Sequence, residues 1–181
     1  MADEEYLDVV DENDNLIRTA TFAEVKEKGL RRRTVNVMIA DSGLDRVALA
    51  LRSRNQKSSP NKWHVTAGGH LNSGETYEQA AYRETLEELF RDEPPQTALK
   101  LIEIARFRND VPAKRKFEYT SFLYAVHSGP FFPDKNEIEE IIWRDSDEVI
   151  ADLARNPDKY TATMGIVMPY FESHRRALGK I

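Results

Sequence analysis

Gly68–Arg91 reads GGHLNSGETYEQAAYRETLEELFR, and the fold and chemistry of the chain turn on it. The run Ala67-Gly68-Gly69-His70-Leu71-Asn72-Ser73-Gly74 carries three glycines, which allow backbone conformations and close approaches that other residues resist. Thr76, with Gln79 three residues on, forms a capping-box pattern, and Glu75 stands where the positive end of a following helix begins. Neither Gly nor Pro interrupts Tyr77 to Phe90, so a helix is predicted there. At roughly 100° per residue, Tyr82, Leu86, Leu89 and Phe90 gather on a packing side, and Glu84, Glu87 and Glu88 share an opposing arc.

Carboxylates at i, i+3 and i+4 repel one another, so a cation is expected among them. Hard divalent cations take oxygen ligands, and magnesium is usually held by a few carboxylates together with water and substrate phosphates. For a lone E-x-x-E-E, a solvated acidic face would explain the pattern as well. The surrounding spacing decides between the two. Gly69, five residues, Glu75, seven residues, Arg83-Glu84, two residues and Glu87-Glu88 follow one another in order.

That spacing resembles the Nudix box, G-x5-E-x7-R-E-U-x-E-E-x-G-U, where U is aliphatic. Three positions depart from it: Thr85 at the first U, Phe90 at the last glycine and Arg91 at the last U. The departures bear on the helix exit and its packing, and the charged positions are complete. The resemblance implies that Glu84, Glu87 and Glu88 coordinate magnesium or manganese, with the Gly68 carbonyl as a further ligand. It also implies that Arg83 bridges to Glu75, bracing loop against helix. Arginine's planar fork suits such a carboxylate and neutralises part of the cluster. Glu84 is one candidate for the base.

The 181 residues, 40% hydrophobic, are expected to form one domain, residues 1–181, with a hairpin and short helix over 1–30 and a core over 31–181. With 31 acidic and 26 basic residues the net charge is -5, which argues against a nucleic-acid partner and leaves small anionic substrates open. There is no cysteine, hence no disulfide framework, thiol nucleophile or cysteine-zinc site. No run approaches membrane-spanning length and the start, MADEEYLDVV, lacks an apolar signal core. A soluble cytoplasmic protein is expected by default.

Ahead of the box, Tyr6 to Val10 and Leu16-Ile17 flank a turn-rich segment and predict a hairpin. Thr21 caps a short helix ending at Gly29, and strands are predicted over 34–40 and 47–51. Arg32 and Arg33, at a strand entrance, and Arg52 and Arg54, in a polar loop leading to the glycines, are candidate substrate contacts. Each is also readable as ordinary solvated charge. Beyond the box, Asp92-Glu93-Pro94-Pro95 breaks the chain, and strands are predicted over 99–107, 117–126 and 138–143, with a second basic loop over 108–116. Helices are predicted from Ser146 to about Ala154 and over 161–178, the latter bent or divided at Gly165 and Pro169. Strands interleaved with helices suggest an α/β/α sandwich around a mixed sheet, and the resemblance points the same way.

From LDVVDENDNLIRTATFAEV to the closing helices, the chain also looks like the Nudix branch related to isopentenyl-diphosphate isomerase. That family's pattern has a cysteine ahead of the box, where Gly68 stands here, and early histidine ligands, whereas the first histidine of this chain is His64. His70 and Glu118 are what remains of such a site, and both are kept as candidate substrate contacts. The leading expectation is therefore a magnesium- or manganese-dependent pyrophosphohydrolase acting on a nucleoside diphosphate derivative or another organic diphosphate. A Nudix-like module that binds without catalysis is the second expectation, and isomerisation the third. Dimerisation through the N-terminal hairpin or the last helix is left open.

Overall fold

The computed structural model describes residues 4–91, 95 and 97–180, so the break expected at Asp92-Glu93-Pro94 lies outside the described residues. Its axis is strand β3, Arg32–Ala40. Along one edge β3 pairs in parallel with β8 (Lys116–Val126), from Arg32↔Glu118 to Ala40↔Val126, and β8 pairs antiparallel with β7 (Ile102–Val111). The other edge is shared. Val9 of β1 (Tyr6–Val10) meets Arg32, β6 (Ala67–His70) covers Thr34 to Val37, and β4 (Arg46–Arg52) covers only Ile39 and Ala40. β4 then leaves β3 and pairs with β5 (Trp63–His64) on one side and β9 (Ile138–Asp145) on the other.

Thr66 sits in the fork where β3 and β4 part. It is fully buried, and its hydroxyl accepts from the Ile39 N–H at 2.9 Å while donating to the Ala48 carbonyl at 2.6 Å. Those two backbone groups would otherwise lack partners in a dry interior, which is costly. One side chain thus closes the split and lets β5 and β6 enter it. The glycine-rich sequence over 67–70 reads as a loop. It is a strand, because glycine lets the backbone lie close against β3.

Residues of β3 alternate between two cores, as a strand's period of two requires. Val35, Val37 and Ile39 face Ala80, Ala81 and Leu89 of helix α2 (Tyr77–Phe90). Met38 and Ala40 face Met164, Val167, Met168 and Phe171 of helix α4 (Ala162–Ala177). Helix α3 (Ser146–Arg155), capped by the Asp145 carboxylate on the N–H groups of Asp147 and Glu148, adds Val149 to the second core. Helices on both faces of a mixed sheet give the expected α/β/α architecture, with the β1–β2 hairpin (β2, Leu16–Thr21) at one end. Helix α1 (Phe22–Lys28) has Thr21 as N-cap and Gly29 in the left-handed region at φ 62° as C-cap.

Three local expectations are corrected. The packing stripe of α2 is Tyr77, Ala81, Thr85 and Leu89, while Tyr82 is 40% exposed. Thr85 is tolerated inside because its hydroxyl donates to the Ala81 carbonyl at 2.7 Å. The second basic loop is mostly strand: β7 runs to Val111, and a single 3-10 turn at Pro112–Lys114 leads into β8. Finally, α4 passes through Gly165 and Pro169 as one helix; Gly165, four residues before the proline, presents no side chain to it.

Candidate active site

Helix α2 starts where the capping box predicts. Thr76 Oγ1 accepts from the Gln79 N–H at 3.2 Å, and the Gln79 side chain accepts from the Thr76 N–H at 2.9 Å. Its far end closes without the glycine of the motif. Phe90 is buried with its ring 5.2 Å from that of His127 and 5.9 Å from that of Phe131. Arg91 takes the left-handed cap position, and the Phe132 N–H donates to the Leu89 carbonyl at 2.8 Å.

Arg83 ties the loop to the helix, as expected. Its Nε and Nη2 donate to the two oxygens of Glu75 at 2.8 and 2.9 Å, and Nη2 also reaches the His70 carbonyl at 2.9 Å. Its Nη1 holds Glu84 at 2.9 Å and Glu87 at 3.2 Å. Glu75 further accepts the Asn72 N–H at 2.7 Å, so both its oxygens are engaged. Burial raises the Glu75 pKa, but the bonds from Arg83 and Asn72 outweigh it and hold the group below its ordinary value.

Glu84 and Glu88 do not face solvent; they turn toward β6. This corrects the opposed anionic arc: on the wheel both lie beside Tyr77 and Ala81, at the border of the packing stripe. The Glu84 side chain is 13% exposed, against 44% for Glu87. A Cβ on Gly69 would stand 2.1 Å from Glu84 Oε1, so the missing side chain of Gly69 is the space that this carboxylate occupies. The Gly68 backbone lies toward Glu88 and pulls its pKa down, against the burial that raises it. Burial, then the fields of neighbouring glutamates, push Glu84 up to about 7 against the pull of Arg83, and push Glu88 well above the usual carboxylate range.

Among the described residues no three His, Asp or Glu side chains converge as a metal site. Arg83 accounts for this locally, since its guanidinium lies between Glu84 and Glu87 and supplies the cation they share. The donor set is nevertheless all oxygen, half-buried at Glu84 and Glu88, and without a bonded cation at Glu88 among the described residues, which is the chemistry that suits a hard divalent cation. The residues fit such an ion.

The remaining sequence candidates are dispersed. Arg52 donates to the Ser58 carbonyl and Gln56 at 3.1 Å each and feels the fields of Glu88 and Glu137, so it borders the cluster. Arg54 is exposed in the adjoining loop. Arg33 turns away to the hairpin, donating to the Asp14 carboxylate at 2.7 Å and its carbonyl at 2.6 Å. Arg32 pairs with Glu118 at 2.8 Å. His70 packs on Phe22 at 5.0 Å between ring centroids, and burial with nearby cations lowers its pKa to about 3, so the ring is neutral.

Two contributors escaped the sequence reading. Glu137, in the turn before β9, acts on both Glu84 and Glu88. Asp8, buried in β1, accepts from Ser73 Oγ at 2.8 Å and the Gly74 N–H at 3.2 Å, anchoring the loop ahead of α2 to the hairpin. Neither carried a signal, since each lies far from the box and within a run of other acids.

A crystal structure of a Deinococcus radiodurans protein aligns with a TM-score of 0.73 at 24% identity, covering 91% of this chain and 98% of that one. A MutT NUDIX hydrolase from Burkholderia pseudomallei aligns at 0.60 and 20% identity, over 77% and 97%. In sequence, an uncharacterized Nudix hydrolase of Yersinia pestis is 29% identical over 147 residues, 81% of this chain and 76% of its own length. Another, from Streptomyces coelicolor, is 32% identical over 141 residues, 77% and 72% respectively. The NUDIX domain family matches residues 30–164, three-quarters of the chain with the whole box inside, and the protein belongs to the Nudix hydrolases.

Proposed function

We propose that this hydrolase is a divalent-metal-dependent pyrophosphohydrolase, cleaving a nucleoside diphosphate derivative or another organic diphosphate. The observation that carries the reading is the pair Glu84 and Glu88, half-buried against a glycine strand, with Arg83 bonded to Glu84 and no cation bonded to Glu88 among the described residues. Glu84, Glu87 and Glu88 would hold magnesium or manganese, with the Gly68 carbonyl beside them. When bound, such an ion supplies charge stabilisation at the phosphates and lowers the pKa of water.

The chain's own groups supply the rest. Glu84, raised to about 7, is a candidate to take the proton of the attacking water. Water oxygen bonds to phosphorus as the bridging P–O bond breaks, and two phosphorylated products leave. Arg83 stays with Glu75 and keeps the helix in register with the loop. Arg52, which feels the fields of Glu88 and Glu137, would balance part of the anionic charge brought in.

The isomerase-related branch gains no support in its chemistry. A Cβ at Gly68 would lie 2.6 Å from the Val35 carbonyl of β3, so a cysteine does not fit there without moving the strand. The altered end of the box is what favours a non-catalytic module, yet Phe90 and Arg91 close the helix while leaving the carboxylates in place. The experiment is a substrate panel with phosphate-containing products followed for wild type and Glu88→Gln. Loss of about a hundredfold or more is expected in the variant. Equal turnover would remove Glu88 from the reaction, and ligand binding without any product would return the non-catalytic module.

A further inference from the structure

On the sheet face away from α2, the open end of β3 carries polar side chains that no apolar core explains. Arg32, Thr34 and Asn36 fall on that face by alternation; Glu118 and Thr120 lie opposite the first two on β8. The hydroxyls of Thr34 and Thr120 meet at 2.9 Å. Glu118 is 4% exposed, and each of its oxygens holds a different cation: Arg32 Nη2 at 2.8 Å on Oε1 and Lys116 Nζ at 2.9 Å on Oε2. Two cations on one carboxylate leave positive charge over in a half-dry place, where unpaired charge is costly. A purely structural ion pair would need only one of them.

The surplus is also open to a ligand. Lys116 keeps 37% of its side chain exposed, whereas the Arg32 side chain is 11% exposed and its buried Nε has no hydrogen-bond partner among the described residues. The floor leads toward the glutamates. Gly68 pairs with Asn36, four residues along β3 from Arg32, which at about 3.3 Å per residue is roughly 13 Å of strand. Lys116 and Arg52 both act on His64, and Arg52 also feels Glu88, so the cation pair and the carboxylates border one region.

We infer that Arg32 and Lys116, set by Glu118, form a subsite for a second anionic group of the substrate, a phosphate or a carboxylate carried by the part of the molecule beyond its diphosphate. This rests on the pyrophosphohydrolase reading for its substrate and on the cation pair for its place. It selects phosphorylated or acidic sugar diphosphates over diphosphates with an apolar tail, whose burial against these charges would be unfavourable.

Two matched pairs separate the sources of the anion: 3'-phospho-ADP against ADP, and UDP-glucuronate against UDP-glucose. Wild type is expected to favour the more anionic member of at least one pair by about tenfold or more in kcat/KM. Lys116→Met should collapse that preference and Lys116→Arg should keep it. Calorimetry of inorganic phosphate with metal-free protein gives a readout that needs no turnover, and weaker binding is expected in Lys116→Met. If neither pair is discriminated, or Lys116→Met discriminates as wild type does, the subsite is overturned while hydrolysis stands. If no diphosphate is cleaved but phosphate binding still depends on Lys116, the subsite stands and the hydrolase reading falls.

Discussion

Gly68 and Gly69 are adjacent in β6, yet alanine at each should damage different things. At Gly69 the added Cβ would meet Glu84 Oε1, Cδ and Oε2 at 2.1, 2.3 and 2.5 Å. Ordinary contact begins near 3.4 Å, so the carboxylate must withdraw by about 1 Å or more, and as the end of a flexible side chain it can do so. Misplacement on that scale costs about a hundredfold in rate. Gly69 is not among the residues with positive φ, so alanine brings no backbone strain. At Gly68 the obstacle is the Val35 carbonyl at 2.6 Å, in the central strand, which yields poorly. Overpacking of this kind costs about 1–3 kcal/mol, or roughly 3–10 °C in Tm for a chain of this size. Steady-state kinetics with thermal unfolding of Gly69→Ala and Gly68→Ala tests this. Gly69→Ala should lose kcat with Tm nearly unchanged, and Gly68→Ala should lose Tm. Wild-type turnover in Gly69→Ala, or equal loss of stability in both, would refute the assignment of that space to Glu84.

Thr66→Val keeps the shape at the fork but leaves the Ile39 N–H and Ala48 carbonyl without the hydroxyl they share. At about 1–3 kcal/mol per orphaned group, urea unfolding should show about 2–6 kcal/mol lost, and Thr66→Ser should lose less. Glu84 gives a linked pair of outcomes. Its folded pKa of about 7 lies above the ordinary 4.5, so between those values the folded metal-free protein holds a proton that the unfolded chain has released. This contribution therefore makes stability in chelator fall as pH rises from about 4.5 through 7. Added magnesium should remove that fall and, in weak buffer at pH 7, release protons; absence of proton release would show that no ion reaches Glu84.

What the sequence disclosed was local. The caps of α1 and α2, the strand cores and the spacing of Glu75, Arg83, Glu84, Glu87 and Glu88 depend on residues a few positions apart, and the structure has them as read. What it hid was assembled across the chain. β5 and β6 are only two and four residues long and exist because β3 and β4 part around Thr66. Glu137 joins the carboxylates from the turn before β9, and Arg33 is drawn off by Asp14, whose φ of 66° a pattern of charges does not announce. On α2, the wheel placed Tyr82 inside because size was weighed over fit, whereas small Ala81 and self-satisfied Thr85 let the helix approach the sheet.

Helix α2 is fastened at both extremities, by the reciprocal Thr76–Gln79 bonds at one and by Phe90 wedged between His127 and Phe131 at the other. Rolling about its own axis, the one motion that would swing Glu84 and Glu88 off the glycines, is thereby blocked. The ordering of those carboxylates is completed when the chain folds rather than when a ligand arrives. On the proposed reading, changes in the loop bearing Arg54 or in the N-terminal hairpin would retune what is admitted while the carboxylates stay where they are.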